Sequence, residues 1–244
     1  MDFALIVAGV SLLIGLTKGG MGAVLAVLII PLLTLVMPVP DAVSLSLPLL
    51  LIGDVFAIWM YWKTWDTRHV KLMIPFAIIG ILVGTTLLAT LPDLTLRRLV
   101  AAFTLLFVGF KLIDERLTNV RYEHRNWHAY LAGGVSGVGS ALANVGAPPF
   151  TAYLLMQDLS PQRFVGTTTL YFAFINVLKL PGLVVVGLLD LNDLIGVVWA
   201  LPLIPLGVWL GRWMVDRLNR KLFERFMLVV LVIASFALLL IPPR

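Results

Sequence analysis

The chain has 244 residues, of which 60% are hydrophobic and 13% charged, and its formal net charge is +5. Soluble domains carry about 25% charged residues, so this composition, with a mean hydropathy of +1.02, excludes a soluble globular protein. The absence of cysteine excludes disulfides, thiol catalysis and thiolate metal sites. His69, His124 and His128 lie in or beside polar stretches, so no metal or cofactor is expected.

Taken in chain order, residues 3–37 form an apolar segment broken at Gly15-Leu-Thr-Lys-Gly-Gly-Met-Gly22. The Met-Asp start has no basic flank, so this run reads as membrane structure and not as a cleaved signal. The break leaves arms of about 14 residues, which rise about 21 Å as helices, short of the ~30 Å hydrocarbon core. That length predicts a re-entrant hairpin. Apolar runs at 42–62, 71–90 and 96–113 are each long enough to span. The polar residues 114–126 form a linker. Residues 129–156 are again apolar with a break, Ser140-Ala-Leu-Ala-Asn-Val-Gly-Ala-Pro-Pro149, and spans follow at 164–187, 193–213 and 222–241.

The two parts superpose at consistent offsets. Val43–Asp54 matches Val165–Asn176 at a shift of 122, and Pro75, Gly80 and Gly84 match Pro202, Gly207 and Gly211 at a shift of 127. The expected architecture is therefore an all-α polytopic membrane protein with two repeats, 1–113 and 127–244. Each repeat is a re-entrant helical hairpin plus three transmembrane helices, an odd number of crossings, so the second inserts upside down. Loop charge agrees. With both hairpins returning to the face they entered from, 13 Lys/Arg share one face and 3 (Arg97, Arg98, Arg244) the other; single crossings would split them 8 to 8. The basic face, with the 114–126 linker, is then cytoplasmic, and both termini are periplasmic. Headgroup anchoring accounts for the basic residues, and nucleic acid is not an expected partner.

Short, Gly/Pro-interrupted segments at matching places in two halves point to a transporter's binding site. Deep in the membrane segments, away from the loops and span ends, the charged residues are Lys18, Asp54 and Lys179. Such groups are costly in hydrocarbon and face protein or water. Lys18 stands among Gly19, Gly20 and Gly22, whose amides can converge on an anion beside a helix N-terminus. Asn144 and Gly146 take that place in the second break. Lys179 shares a helix face with Asn176, whose repeat counterpart is Asp54. Asp54 is expected either as a counter-ion to one of the lysines or as a proton-carrying coupling group. The three charges sum to +1, which favours an anionic substrate. Thr167, Thr168 and Thr169, and more weakly Ser44 and Ser46, offer hydroxyls. Gly80/Gly84 and Gly207/Gly211 have the spacing of close helix contacts, and Trp59, Trp62 and Trp65 read as an interfacial belt.

A different class is an intramembrane serine protease, because Gly134-Val-Ser-Gly137 fits a G-x-S-G nucleophile pattern. Such a serine needs a histidine within hydrogen-bond reach, and the nearest in sequence, His128, precedes Ser136 by eight residues at the membrane edge. A passive anion channel is the closer alternative to a carrier, and sequence does not separate the two.

At these residues the chain resembles the sulfite exporter TauE/SafE family of membrane anion permeases. The likeness is carried by Gly15-x-x-Lys18-Gly19-Gly20-x-Gly22, Pro31, Val36-Met-Pro38, Leu47-Pro-Leu-Leu-Leu and Trp65-Asp66. In the second half it rests on Gly146-Ala-Pro-Pro149, Tyr153-Leu-Leu, Asn176-Val-Leu-Lys-Leu-Pro181 and Pro205-Leu-Gly-Val-Trp-Leu-Gly211. Many relatives carry His-Ala-Gly-Gly-Pro-Pro in the second break, where this chain has Asn144-Val-Gly-Ala-Pro-Pro149. The resemblance implies export of sulfite, a sulfonate or a related small anion across a bacterial inner membrane. Expected partners are thus a small anion, the lipid bilayer and protons as coupling ion. Oligomeric state is left open, with a homodimer allowed.

Overall fold

The computed structural model describes residues 3–21, 23–114, 125–157, 159–189, 195–215, 228–229, 232–233, 235–236 and 239–240. Among them there are helices and turns and no strand. The chain is an all-α polytopic membrane protein. Phe3–Gly20, Val39–Met60, Thr67–Thr90, Gln162–Val185 and Ile195–Met214 are each long and apolar enough to cross a bilayer. Large apolar side chains such as Leu82 (60% exposed) and Val185 (85% exposed) stand on the outside, where hydrocarbon and not water is the partner.

The first segment comprises α1 (Phe3–Leu16), a kinked turn at Thr17–Met21, α2 (Ala23–Val27) and α3 (Ile29–Leu33). It folds back so that α3 packs on α1. Next come α4 (Val39–Met60), α5 (Thr67–Thr90) and α6 (Asp93–Asp114). Local chemistry sets their starts. Pro38 precedes α4, whose first turn holds Asp41, a favourable placement against the helix dipole. The Asp66 side chain caps α5 by accepting from the Arg68 N–H at 2.9 Å. Asp93 accepts from the Val39 N–H and from Arg97, both at 2.7 Å, which ties the entrance of α6 to that of α4.

The second segment is α7 (Asn126–Ala143) and α8 (Ala147–Leu155), packed against each other. Here the interruption is narrower than expected, Asn144–Gly146 and not Ser140–Pro149, because α7 continues for 18 residues. Asn144 ends it in the left-handed region, at φ 54°, where its N–H reaches the carbonyls of Gly139 and Ser140. That is a C-terminal stop Asn tolerates well. α9 (Pro161–Val185) and α10 (Leu203–Val215) follow, the latter entered through a 3₁₀ turn at Val198–Ala200. Residues 115–124 of the linker, most of the expected span 222–241 and both termini lie outside the described residues.

Glycine sets the packing. α1 lies against α10, and α7 against α5. A Cβ built at Gly15 would stand 2.2 Å from the Ile204 carbonyl oxygen, and one at Gly207 would stand 2.4 Å from that of Leu12. On the other pair, a Cβ at Gly80 would meet the Gly134 oxygen at 2.1 Å and one at Gly137 the Ala77 oxygen at 2.3 Å. Gly80/Gly84 and Gly207/Gly211 thus serve close backbone approach. Without a hydrophobic drive between helices in lipid, such contact is a main source of association. Between the two glycine-packed pairs, α4 and α9 touch each other directly.

Candidate functional site

The polar residues expected in the membrane converge on the α4–α9 contact and on both breaks. Lys18 leaves the kink at Thr17–Met21, where Gly20 takes φ 117°, a left-handed backbone that glycine adopts without strain. Its stem crosses α4 at Gly53, where a Cβ would stand 3.2 Å from Lys18 Cγ. Its ammonium donates to Asp54 Oδ1, forming an ion pair. Asp54, 2% exposed, accepts through its other oxygen from Asn176 Nδ2 at 2.6 Å. The positions matched by the 122-residue offset therefore hydrogen-bond to each other across the two helices.

One turn along α9, Lys179 is 1% exposed. Its ammonium donates to Asn144 Oδ1 at 2.7 Å and to the Ser140 carbonyl at 3.4 Å. Asn144 in turn donates to Ser46 Oγ at 3.0 Å, and Ser46 donates to the Val43 carbonyl at 2.9 Å. The network runs from the first break through α4 and α9 into the second. Its formal charge is +1, and the cations are not equal. Lys18 faces a carboxylate. Among the described residues, Lys179 hydrogen-bonds only neutral oxygens.

Lys18, Asp54, Asn144, Asn176 and Lys179 are thus brought together. Two of the glycines named with them also serve packing. Gly19 faces α10, with a Cβ there set 2.4 Å from the Val208 oxygen, so its position serves helix contact. Gly146 lies against α7, 2.6 Å in the same sense from the Ser136 oxygen. Gly22 is outside the described residues. Gly53 and Ser46 are participants that charge alone did not single out. The signal for Gly53 was a glycine immediately before a buried Asp inside an apolar helix. Thr167 Oγ1 accepts from the Asp66 N–H at 2.8 Å and Thr168 bonds its own helix, the usual habit of such residues. Ser136 donates to the Gly146 carbonyl at 2.6 Å across the second break. No His/Cys/Asp/Glu group capable of holding a metal occurs among the described residues.

A family comparison decides what this arrangement belongs to. The chain matches the family model described as Sulfite exporter TauE/SafE over residues 7–238. The chain is a member of the TauE/SafE family. That span takes in both breaks and every member of the network, and it places the protein among membrane anion exporters. Neither a curated protein nor a solved structure matches the chain significantly.

Proposed function

We propose that this TauE/SafE protein is a secondary transporter that exports a small sulfur-containing anion, sulfite, a sulfonate or a related organic anion, by alternating access. The observation that carries the reading is Lys179, buried at 1% exposure, whose ammonium hydrogen-bonds the neutral oxygens of Asn144 and Ser140 and forms no ion pair among the described residues. A buried ammonium with no carboxylate in hydrogen-bond contact, and Asp54 shared with Lys18, is expensive. An anion bound beside it repays that cost. Asp54, held by Lys18 and Asn176, acts as the counter-ion that fixes Lys18 at the substrate's other side. Burial also supports a carrier over a channel, because Asp54 and Lys179 are reached only if helices move.

The reciprocal packing, α1 on α10 and α7 on α5, supports two inverted repeats. Under that symmetry, element one of each half packs on element three of the other, with α4 and α9 at the axis. Rocking one glycine-packed pair against the other would open the network to alternate faces. The basic face is cytoplasmic in this scheme, the membrane is a bacterial inner membrane, and the proton is the coupling ion to test first.

The test is flux in proteoliposomes. Wild type should accumulate sulfite or a sulfonate against its gradient when a pH gradient is imposed. Lys18→Ala and Lys179→Met should each reduce flux by at least tenfold. Undiminished flux in either variant would remove the site assignment, and flux that never exceeds equilibrium would make the protein a channel.

A further inference from the structure

A line of buried polar groups leaves the network through the contact between α7 and α9. It starts at the Ser140 carbonyl, which accepts from Lys179. One turn earlier on α7, about 6 Å of rise, Ser136 donates to the Gly146 carbonyl at 2.6 Å. The Tyr171 hydroxyl of α9 stands opposite Ser136. One turn before Tyr171, Thr167 Oγ1 accepts from the N–H of Asp66, the cap of α5, at 2.8 Å. Ser140, Ser136, Tyr171 and Thr167 are all buried, so the line crosses the protein interior and ends at the loop between α4 and α5.

Within this line Tyr171 stands apart. Its ring is fully buried and lies flat on Phe150 of α8, with centroids 4.2 Å apart and 17° between planes, and Phe172 meets both edge-on. Its hydroxyl has no hydrogen-bond partner among the described residues, and the Ser136 hydroxyl that it faces is turned to Gly146. Buried polar side-chain atoms nearly always have partners, so an idle O–H donor here calls for a reason outside the resting packing. The first half of the chain shows that the fold does not require one. A Cβ at Gly15 would meet the Ile204 oxygen and one at Gly137 the Ala77 oxygen. Positions 77 and 204 are 127 apart, like Pro75 and Pro202, so Gly15 and Gly137 correspond, 122 apart like Asp54 and Asn176. At that shift Ser136, Thr167 and Tyr171 fall on Ile14, Leu45 and Leu49, three buried apolar side chains. The corresponding contact of α1 with α4 closes on hydrocarbon at all three places.

We propose that Tyr171 is a further substrate contact, an inference that rests on the transport reading above. When α7 and α9 part, its hydroxyl donates to the oxyanion on its way between Lys179 and the face that bears the α4–α5 loop. In the resting structure the same ring, stacked on Phe150, closes that route. A neutral donor suits a way station, because passage requires binding weak enough to release. The two halves then differ in use: the anion is held once more on the loop side, and at the matched places on the other side it meets apolar walls.

Tyr171→Phe keeps the ring and its stack and removes only the hydroxyl. In proteoliposomes with sulfite or a sulfonate, KM should rise about tenfold, the usual cost of losing a hydrogen bond to a charged group. The purified variant should melt no lower than wild type, since it loses an unpaired buried donor. An unchanged KM beside an active wild type would overturn this contact alone, whereas a wild type without flux would overturn the transport reading and the contact with it. An unchanged KM with loss of proton-driven accumulation would overturn it in favour of a proton relay. The route itself is tested without substrate. The chain has no cysteine, so Ser136→Cys places a single thiol between α7 and α9. A small anionic methanethiosulfonate should label it from the face that labels Thr67→Cys, at the exposed start of α5. Ile14→Cys, at the matched apolar place, should react far more slowly from that face. Equal labelling of the two, or a Ser136→Cys that stays unlabelled from that face, would overturn the route.

Discussion

Asp54→Asn tests the central ion pair with the least steric change. The substitution keeps the side chain's size and leaves an oxygen able to accept from Asn176, but it removes the charge facing Lys18. The formal charge of Lys18, residue 54 and Lys179 rises from +1 to +2 inside a cluster in which Asp54 is 2% and Lys179 1% exposed. Removing one member of a buried pair costs about 3–5 kcal/mol. The Lys18 side chain retains 14% exposure, so the lower end, about 3 kcal/mol, applies. For a chain of this size that corresponds to a fall of about 6–12 °C in melting temperature. Tryptophan fluorescence of the detergent-solubilised protein reads it. The double variant Lys18→Met/Asp54→Leu removes both charges and should recover most of the loss, because an apolar pair of similar volume is often as stable as a buried ion pair. It should nonetheless fail to transport. The reasoning is refuted if Asp54→Asn melts within about 2 °C of wild type, or if the double variant melts as low as the single.

Other substitutions separate packing from chemistry. Gly15→Val drives a side chain into the Ile204 backbone, a clash at 2.2 Å, and should abolish a monodisperse peak in size-exclusion chromatography. Gly9→Ala, with nothing within 4 Å of its built Cβ, should be neutral or stabilise by up to about 1 kcal/mol in a thermal melt. Ser136→Ala removes the hydroxyl that donates to the Gly146 carbonyl and should cost about 1–3 kcal/mol while transport persists. Complete loss of function with an intact fold would reopen the nucleophile reading. A reporter cysteine in the 114–126 linker should resist a membrane-impermeant label added from the periplasm, and ready labelling would reverse the assigned orientation.

The spans were legible because composition leaves a chain this apolar no other solvent. The breaks were legible because glycine and proline stand out against uniform Leu, Ile and Val. The charged residues of the network could be named for the same reason. Their pairing could not. Lys18 had an anion or Asp54 as alternatives, and only the crossing of α4 by its stem at Gly53 brings the ammonium to the carboxylate. Partner choice between helices was equally hidden. A helix apolar all round carries no stripe to indicate which face meets protein, so the glycine spacing announced a contact without saying with whom. Gly19 illustrates the same limit. Beside a lysine in a break it reads as a binding amide, and its lack of a Cβ also lets α10 approach, which the sequence did not announce. The second break, finally, looked wider than it is because prolines at 148 and 149 suit the first turn of a new helix as well as they suit a loop.

The contact between α1 and α10 also has a consequence for how the protein is made. About 190 residues separate Gly15 from Gly207, and at roughly 5–20 residues per second of synthesis the later helix emerges about 10–40 s after the earlier one. During that interval α1 stays in or at the membrane with its glycine seam against lipid or the insertion machinery. Translation cut off in the linker should leave a fragment that cannot close that seam and is open to quality-control proteolysis. Supplying the missing part as a separate chain should rescue it, since the seam needs only that α10 be present, not that it be covalently attached.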